Sequence, residues 1–154
     1  MTPADVPTKV GFLYPGYAAE DDYPVLGQRL RPPVAVELIH TAFNEDAHTV
    51  EALSEMGGLP RLVEGAKRLV GSGVQSVLWT STSASFVLGV EGVKRQIAVL
   101  QEKLNVPAST TAMAFVRAAK TIGAKRVAIV ATYPEDVAVL FKKFLEAFDI
   151  EVIQ

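Results

Sequence analysis

A run of hydroxyl side chains stands where a predicted strand gives way to a predicted helix. Five of the six residues from Thr80 to Ser85 carry a hydroxyl group, and Ala84 is the exception. Hydroxyl groups and free backbone N–H groups at such a turn can hold a carboxylate or a developing oxyanion. The same residue types are also favoured as helix N-caps, where they only satisfy the backbone. The spacing alone leaves both interpretations open.

Two further segments are expected at the same edge of the sheet as this hydroxyl turn (residues 80–85). Ligands of an open parallel sheet bind beyond the carboxyl ends of its strands, and this rule places residues 14–17 and 132–134 beside the turn. Tyr133 would either bring a phenolic O–H to a shared pocket or pack as a rim tyrosine on the following helix. Pro15 and Gly16 would let the backbone approach a ligand closely, but the pair is also a common turn.

Several kinds of chemistry are excluded by residue types or motifs that the chain lacks. It has no cysteine, so it supplies no disulfide, no thiolate metal ligand and no thiol nucleophile. His40 and His48 are its two histidines and do not follow HExxH spacing, so we expect structural roles for both and no metal site. Neither GxGxxG nor GxxxxGK(S/T) occurs, so nucleotide binding has no motif support. We therefore expect no cofactor.

Length and composition indicate a globular protein. The chain has 154 residues, of which 49% are hydrophobic and 21% charged, with a formal net charge of −2. A chain of this size can bury a sizeable core, and near-neutral charge does not favour nucleic acid. Residues 1–8 lack the pattern of a signal peptide, and no apolar run is long enough for a membrane span. We expect a cytoplasmic protein with neither nucleic-acid nor membrane partners.

Short apolar runs alternate with helical patterns, which predicts an α/β protein whose parallel sheet has helices on both faces. The clearest strand is residues 126–131, which is rich in β-branched side chains. The clearest helix begins at Pro134, and its apolar residues repeat at helical spacing as far as Phe148. Trp79 is expected in the core. The other predicted strands are residues 9–14, 34–40, 76–80, 107–109 and 150–153, and the other predicted helices are residues 21–30, 49–56, 59–70, 90–104 and 113–122.

The end of the chain suggests how its domains are divided. The sequence stops inside the last predicted strand, and no helix follows to cover the faces of that strand. We expect residues 1–110 to form one complete α/β lobe and residues 111–154 to open a second lobe with a βαβ unit. An uncovered strand would also favour a homo-oligomer.

Five segments together resemble a known superfamily. They are residues 10–15, 82–86 (TSASF), 105–111, 122–128 and 131–137 (ATYPEDV). The chain resembles the aspartate/glutamate racemase superfamily, nearest its arylmalonate decarboxylase and maleate cis-trans isomerase branch. The resemblance spans nearly all of the sequence. It implies two racemase-like lobes with the active site in the cleft between them.

The resemblance also implies a mechanism and residues that perform it. The substrate would be a small dicarboxylate or substituted malonate, and the reaction would pass through an enediolate or carbanion next to a carboxylate, without a cofactor. The implied oxyanion-pocket donors are Thr82, Ser83 and Tyr133, while Pro15, Gly16 and Ser81 are implied to line the substrate site.

Departures from the pattern of the superfamily affect the expected activity. Racemases and isomerases carry a cysteine at the position of Ser81, and the decarboxylase does not. The Pro-Ser-Ser-Asn type of loop is replaced here by residues 15–18 (PGYA), so decarboxylase-like chemistry is favoured over racemisation. The second-lobe cysteine of these enzymes would lie beyond Gln154, and a serine hydroxyl is a far weaker acid than a thiol of pKa about 8.5. We expect little or no turnover by this polypeptide alone.

Three classes of function remain open from the sequence. The chain is an enzyme or the N-terminal part of one, or a carboxylate-binding or regulatory domain without catalysis, or a flavodoxin-like interaction module whose hydroxyl turn only caps a helix. Stabilisation by a carboxylate ligand separates the first two classes from the third.

Overall fold

The main sheet contains four parallel strands. The computed structural model describes residues 8–18 and 20–153. The strands of this sheet are β1 (Thr8–Pro15), β2 (Val34–Thr41), β3 (Ser76–Trp79) and β4 (Ala108–Thr110), and their spatial order is β2-β1-β3-β4. Leu13 on β1 pairs with Ile39 on one side and with Trp79 on the other. Every pairing is parallel, so each connection must cross over the sheet through intervening chain.

Seven helices occur in the described residues, and most lie where the apolar periodicity predicts them. Thr49 and Thr110 cap the second and sixth helices, because their side chains accept hydrogen bonds from backbone N–H groups three residues on. Asn105 adopts a left-handed conformation (φ 53°) and ends the fifth helix. The helices are α1 (Asp22–Arg29), α2 (Val50–Met56), α3 (Leu59–Leu69), α4 (Ser83–Phe86), α5 (Gly89–Leu104), α6 (Thr111–Thr121) and α7 (Glu135–Glu146).

A second, separate sheet pairs β5 (Arg126–Ala128) with β6 (Glu151–Ile153) in parallel. The sequence predicts β5 as far as residue 131, and the structure corrects this end. Among the described residues, β6 pairs only with residues 126–128, so the apolar run after Ala128 joins no ladder there, and Val130 is fully exposed. Strand propensity alone therefore does not extend a strand beyond the reach of its partner.

The core is formed by two clusters of buried apolar side chains. The first cluster packs around the main sheet and contains Trp79, which is fully buried as the sequence predicts. The second cluster is built mainly from α6 and α7 and includes Phe86 of α4. Ile97 of α5 packs against both clusters, and α4 contributes Ala84 to the first and Phe86 to the second. The short helix α4 is therefore held between the two clusters.

The structure confirms the predicted α/β fold class with a parallel sheet flanked by helices. The main sheet lies within residues 8–110 and the two-stranded sheet within residues 126–153. The division into lobes at residues 1–110 and 111–154 stays a prediction. Within the described part of the chain, no helix is both long and apolar enough to cross a membrane.

Candidate functional site

The ends of β1 and β3 are joined side by side. The carbonyl oxygen of Leu13 accepts two hydrogen bonds from Thr80, one from the backbone N–H (2.9 Å) and one from the side-chain hydroxyl (2.7 Å). Tyr23 of α1 also hydrogen-bonds the Thr80 side chain. These contacts bring the turn after β1, with Pro15 and Gly16, to the same edge as the hydroxyl turn, as the sequence predicts.

The hydroxyl turn contains one serine that caps the backbone and two hydroxyl groups without a hydrogen-bond partner among the described residues, those of the half-buried Thr82 and the fully buried Ser85. The Oγ of Ser81 accepts a hydrogen bond from the backbone N–H of Ala84 (3.3 Å), so this serine acts as a cap. Ser83 and Ser85 are buried, whereas Thr82 is half-buried. Within the described residues, the Thr82 hydroxyl has no hydrogen-bond partner. N-capping therefore accounts for Ser81 but leaves Thr82 available to a ligand.

Tyr133 reaches this turn from the segment between β5 and α7. Its ring packs edge-on against Phe86 (5.5 Å between centroids) and Phe141 (6.4 Å), and its hydroxyl group shares a hydrogen bond with the side chain of Ser83. Burial raises the pKa of the Tyr133 hydroxyl above its ordinary value, and the hydrogen bond with Ser83 partly offsets that rise. The phenol is therefore a neutral proton donor at neutral pH.

The elements that bring Tyr133 to the hydroxyl turn differ from those that the sequence predicts. The sequence argument places residues 132–134 at the edge of a single sheet, but β5 belongs to the separate sheet. Packing of α4 against α7 brings Tyr133 to Ser83 instead. Its ring also packs on α7 through Phe141, so the predicted rim position and the predicted contact with the turn occur together.

Gly16 lies in a turn that only glycine readily adopts. Its φ is +86°, and its carbonyl oxygen lies 2.6 Å from Nδ1 of His40 at the end of β2. A carbonyl oxygen only accepts hydrogen bonds, so Nδ1 of His40 carries the proton and donates it. This contact gives His40 the structural role that the sequence predicts and fixes the direction of the Pro15–Gly16 turn.

His48 was expected to be a structural residue, and the structure corrects this expectation. Its side chain is exposed, and its ring centroid lies 6.2 Å from that of Tyr133. The residue reaches this position because the next residue, Thr49, caps α2 and fixes the end of the loop.

One cavity lies between α3 and the end of β2. Its volume is about 390 Å³, and Arg61, Arg68 and His40 are among the residues that line it. Both arginines have protein partners: Arg61 binds Glu55 and Asn44, and Arg68 donates to the carbonyl oxygen of His40. The Arg61 guanidinium also holds the pKa of the Glu55 carboxyl below its usual range. These contacts make the arginines structural.

Five cavities among the described residues are lined by other side chains than Thr82, Ser83 and Tyr133.

The fold and this site define an α/β protein in which neutral hydrogen-bond donors from the turn after β3 and from the segment before α7 lie together. The sequence profile of the arylmalonate decarboxylase family matches residues 34–154. Because this match covers more than half of the chain, the protein belongs to the arylmalonate decarboxylase family. The resemblance stated from the sequence is confirmed. A search of curated proteins found no match.

Solved structures support the fold. A crystal structure of arylmalonate decarboxylase superimposes with a TM-score of 0.75 at 23% identity, covering 94% of this chain and 61% of that one. The maleate isomerase of Pseudomonas putida S16 with maleate gives 0.79 at 22% identity, covering 97% and 62%. A Nocardia farcinica maleate cis-trans isomerase mutant with a covalently bound succinylcysteine intermediate gives 0.78 at 21% identity, covering 97% and 62%. The chain thus spans about three fifths of the length of these enzymes.

Proposed function

We propose that this chain binds the carboxylate of a small dicarboxylate or 2-substituted malonate at the hydroxyl turn, as part of a cofactor-independent decarboxylase or isomerase. The named members of its family and its structural neighbours are enzymes. Residues 1–110 would form the first lobe of such an enzyme, and residues 111–154 would begin the second.

The contact between Tyr133 and Ser83 is the observation that carries the proposal. It joins two segments 50 positions apart in the sequence and brings a neutral phenol to a buried serine beside the free hydroxyl group of Thr82. Three neutral donors at one place suit an anion better than a metal cation, because hydroxyl groups can donate to carboxylate oxygens without a charge to desolvate.

The proposed chemistry places negative charge where these donors lie. In decarboxylation, the bond between the α-carbon and one carboxylate breaks, carbon dioxide leaves, and the electron pair remains on the α-carbon. That pair delocalises into the retained carboxylate as an enediolate, and an acid other than these three donors, or water, then supplies the proton that forms the new C–H bond at the α-carbon. Thr82, Ser83 and Tyr133 would donate to the enediolate oxygens, which lowers the barrier because these oxygens carry more charge in the transition state than in the substrate.

A second function, carboxylate binding or regulation without catalysis, is favoured by the absence of cysteine from the chain. One structural neighbour holds a covalently bound succinylcysteine intermediate, so a cysteine of that enzyme bonds to its ligand. This chain has no thiol to form such a bond or to exchange the proton.

Titration of the ¹⁵N-labelled protein with sodium malonate and sodium maleate tests the proposal. We expect saturable shifts of the amide signals of residues 81–86 and affinity weakened about tenfold in Thr82→Val, because one hydrogen bond to an anion is lost. Thr121→Val is the matched control, since the hydroxyl group of Thr121 is exposed on α6 and donates only to Arg117. Absence of binding, or equal affinity in Thr82→Val and the wild type, would refute the proposal.

A further inference from the structure

Gln96 is a fully buried polar residue in the middle of α5. Its side-chain nitrogen Nε2 donates two hydrogen bonds, one to the carbonyl oxygen of Gly57 (2.8 Å) and one to that of Ala84 (2.9 Å). The orientation of the amide is unambiguous, because a carbonyl oxygen accepts only and a flipped amide would lose both bonds. A single side chain therefore joins α5 to α2 and to α4.

Both carbonyl groups lie at helix ends, where the helix itself offers no donor. Gly57 is the C-cap of α2. In α4, the backbone N–H of Leu88 donates to the carbonyl oxygen of Ser85, so the Ala84 carbonyl needs another donor. A buried carbonyl group without a partner is costly, and Gln96 removes that cost at both ends.

The three segments approach each other closely at this point. A Cβ atom built on Gly57 would lie 1.7 Å from the carbonyl oxygen of Ala84 and 2.9 Å from Nε2 of Gln96. Only glycine leaves room for α4 to approach α2 so closely. The position of α4 therefore depends on tight packing against Gly57, and displacement of α4 would break the hydrogen bond from Gln96 to Ala84.

We propose that Gln96 is a positioning residue that holds the hydroxyl turn in the orientation that binds a carboxylate. Thr82 and Ser83 lie two residues and one residue before Ala84, and backbone hydrogen bonds close the turn around them: the N–H groups of Ser85 and Phe86 donate to the carbonyl oxygen of Thr82. The hydrogen bond from Gln96 holds Ala84 in place, and the two hydrogen bonds to the Thr82 carbonyl oxygen close the turn. Together these contacts set the directions of the Thr82 and Ser83 side chains. This inference rests on the proposed function, and its structural part can be tested separately.

The experiment compares Gln96→Met, which keeps the length of the side chain but has no donor, with the control Leu69→Ala. Leu69 is also buried, but it lies on α3, where it packs towards Gly11 of β1. Both variants are titrated with sodium malonate below their unfolding temperatures. We expect affinity about tenfold weaker in Gln96→Met and within about twofold of the wild type in Leu69→Ala. Gln96→Glu at pH 5 supplies one O–H donor, because burial keeps the new carboxyl protonated, and should recover part of the affinity.

Hydrogen exchange of the backbone amides of Ser85 and Phe86 gives a measurement that needs no ligand. We expect faster exchange at these two positions in Gln96→Met than in Leu69→Ala when the global stabilities are matched. If the wild type binds no carboxylate, the proposed function fails while this exchange result still decides whether Gln96 holds the turn. Unchanged exchange, or malonate affinity in Gln96→Met equal to that of the wild type, would overturn the proposal.

Discussion

The ionisation of two tyrosines near the candidate site, Tyr133 and Tyr23, makes the free energy of unfolding depend on pH. Burial raises the pKa of Tyr133, and burial together with neighbouring Tyr14 raises that of Tyr23. In the unfolded chain both phenols lose their protons near pH 10, whereas the folded chain retains them to higher pH. The folded state therefore binds more protons above pH 10, and the stability that these groups provide is lost as pH rises through their folded-state pKa values.

Tyr133→Phe should therefore flatten the alkaline part of the stability profile. We expect the variant to lose about 1 kcal/mol at neutral pH, because its hydrogen bond with Ser83 is gone. The free energy of unfolding should also fall less steeply than in the wild type above pH 10. Urea unfolding at several pH values between about 8 and 11 measures both effects.

The exposed Tyr17 provides the control for this substitution, because its side chain is 80% exposed. Tyr17→Phe should leave the alkaline profile unchanged. A profile that is equally steep in the wild type and Tyr133→Phe would show that burial of Tyr133 does not govern its ionisation.

The site residues differ in how far the sequence could predict them. The run of hydroxyl residues and its position after β3 are visible in the sequence, because a β-strand and its turn are local features. Gln96 was missed, although it lies three residues after Val93 and four before Leu100, which are both buried on the same face of α5. A polar residue inside an apolar stripe was the available signal. The identity of its partners depends on packing between helices, and no local pattern records that.

At the scale of elements, the contact between α2 and α4 should be intolerant of any side chain at position 57. Gly57→Ala places a Cβ atom against the backbone carbonyl of Ala84, and backbone cannot rotate away as a side chain can. We expect a loss of about 3 kcal/mol or more in the free energy of unfolding, measured by urea denaturation. Carboxylate affinity should also weaken, because α4 must move.

Gly58→Ala is the matched control for this substitution. Position 58 has an ordinary extended backbone (φ −62°), and its new Cβ would lie 3.0 Å from the carbonyl oxygen of Glu55, a tight contact rather than an impossible one. We expect a clearly smaller loss of stability than at position 57. Equal losses in the two variants would mean that the approach of α2 to α4 is not the limiting contact.

The sequence predicted elements best where their stability is local. Helices α5 and α7 follow apolar stripes, and Asn105 ends α5 near the predicted end. Strand β5 was predicted three residues too long. The β-branched run indicates only that these residues favour the extended conformation, whereas a strand also needs a partner strand along its length. β5 and β6 pair with each other in a sheet of their own, and this pairing is a long-range property that the β-branched run does not record.

At the scale of the whole molecule, we expect this polypeptide to bind a carboxylate without catalysing a reaction. The chain offers donors for a carboxylate but no thiol, and a serine hydroxyl is too weak an acid to replace one. We expect the purified 154-residue protein to bind malonate without decarboxylating phenylmalonate or isomerising maleate above the buffer rate, followed by ¹H NMR. Turnover that disappears in Thr82→Val would contradict this expectation and would require a proton donor other than cysteine.

The two-stranded sheet should make the protein self-associate. In the described residues, β5 pairs with β6 alone, so each strand has an open edge, and Val130, two residues beyond the end of β5, is fully exposed. Open edges pair with other chains, and a lysine at the edge opposes this pairing.

Sedimentation velocity should show association that grows with protein concentration and is reduced in Val130→Lys. Val70→Lys is the control, because Val70 is 64% exposed at the end of α3, in a different element. An equal effect of the two lysines would indicate general charge repulsion, and no association in the wild type would show that the open edges do not pair with other copies.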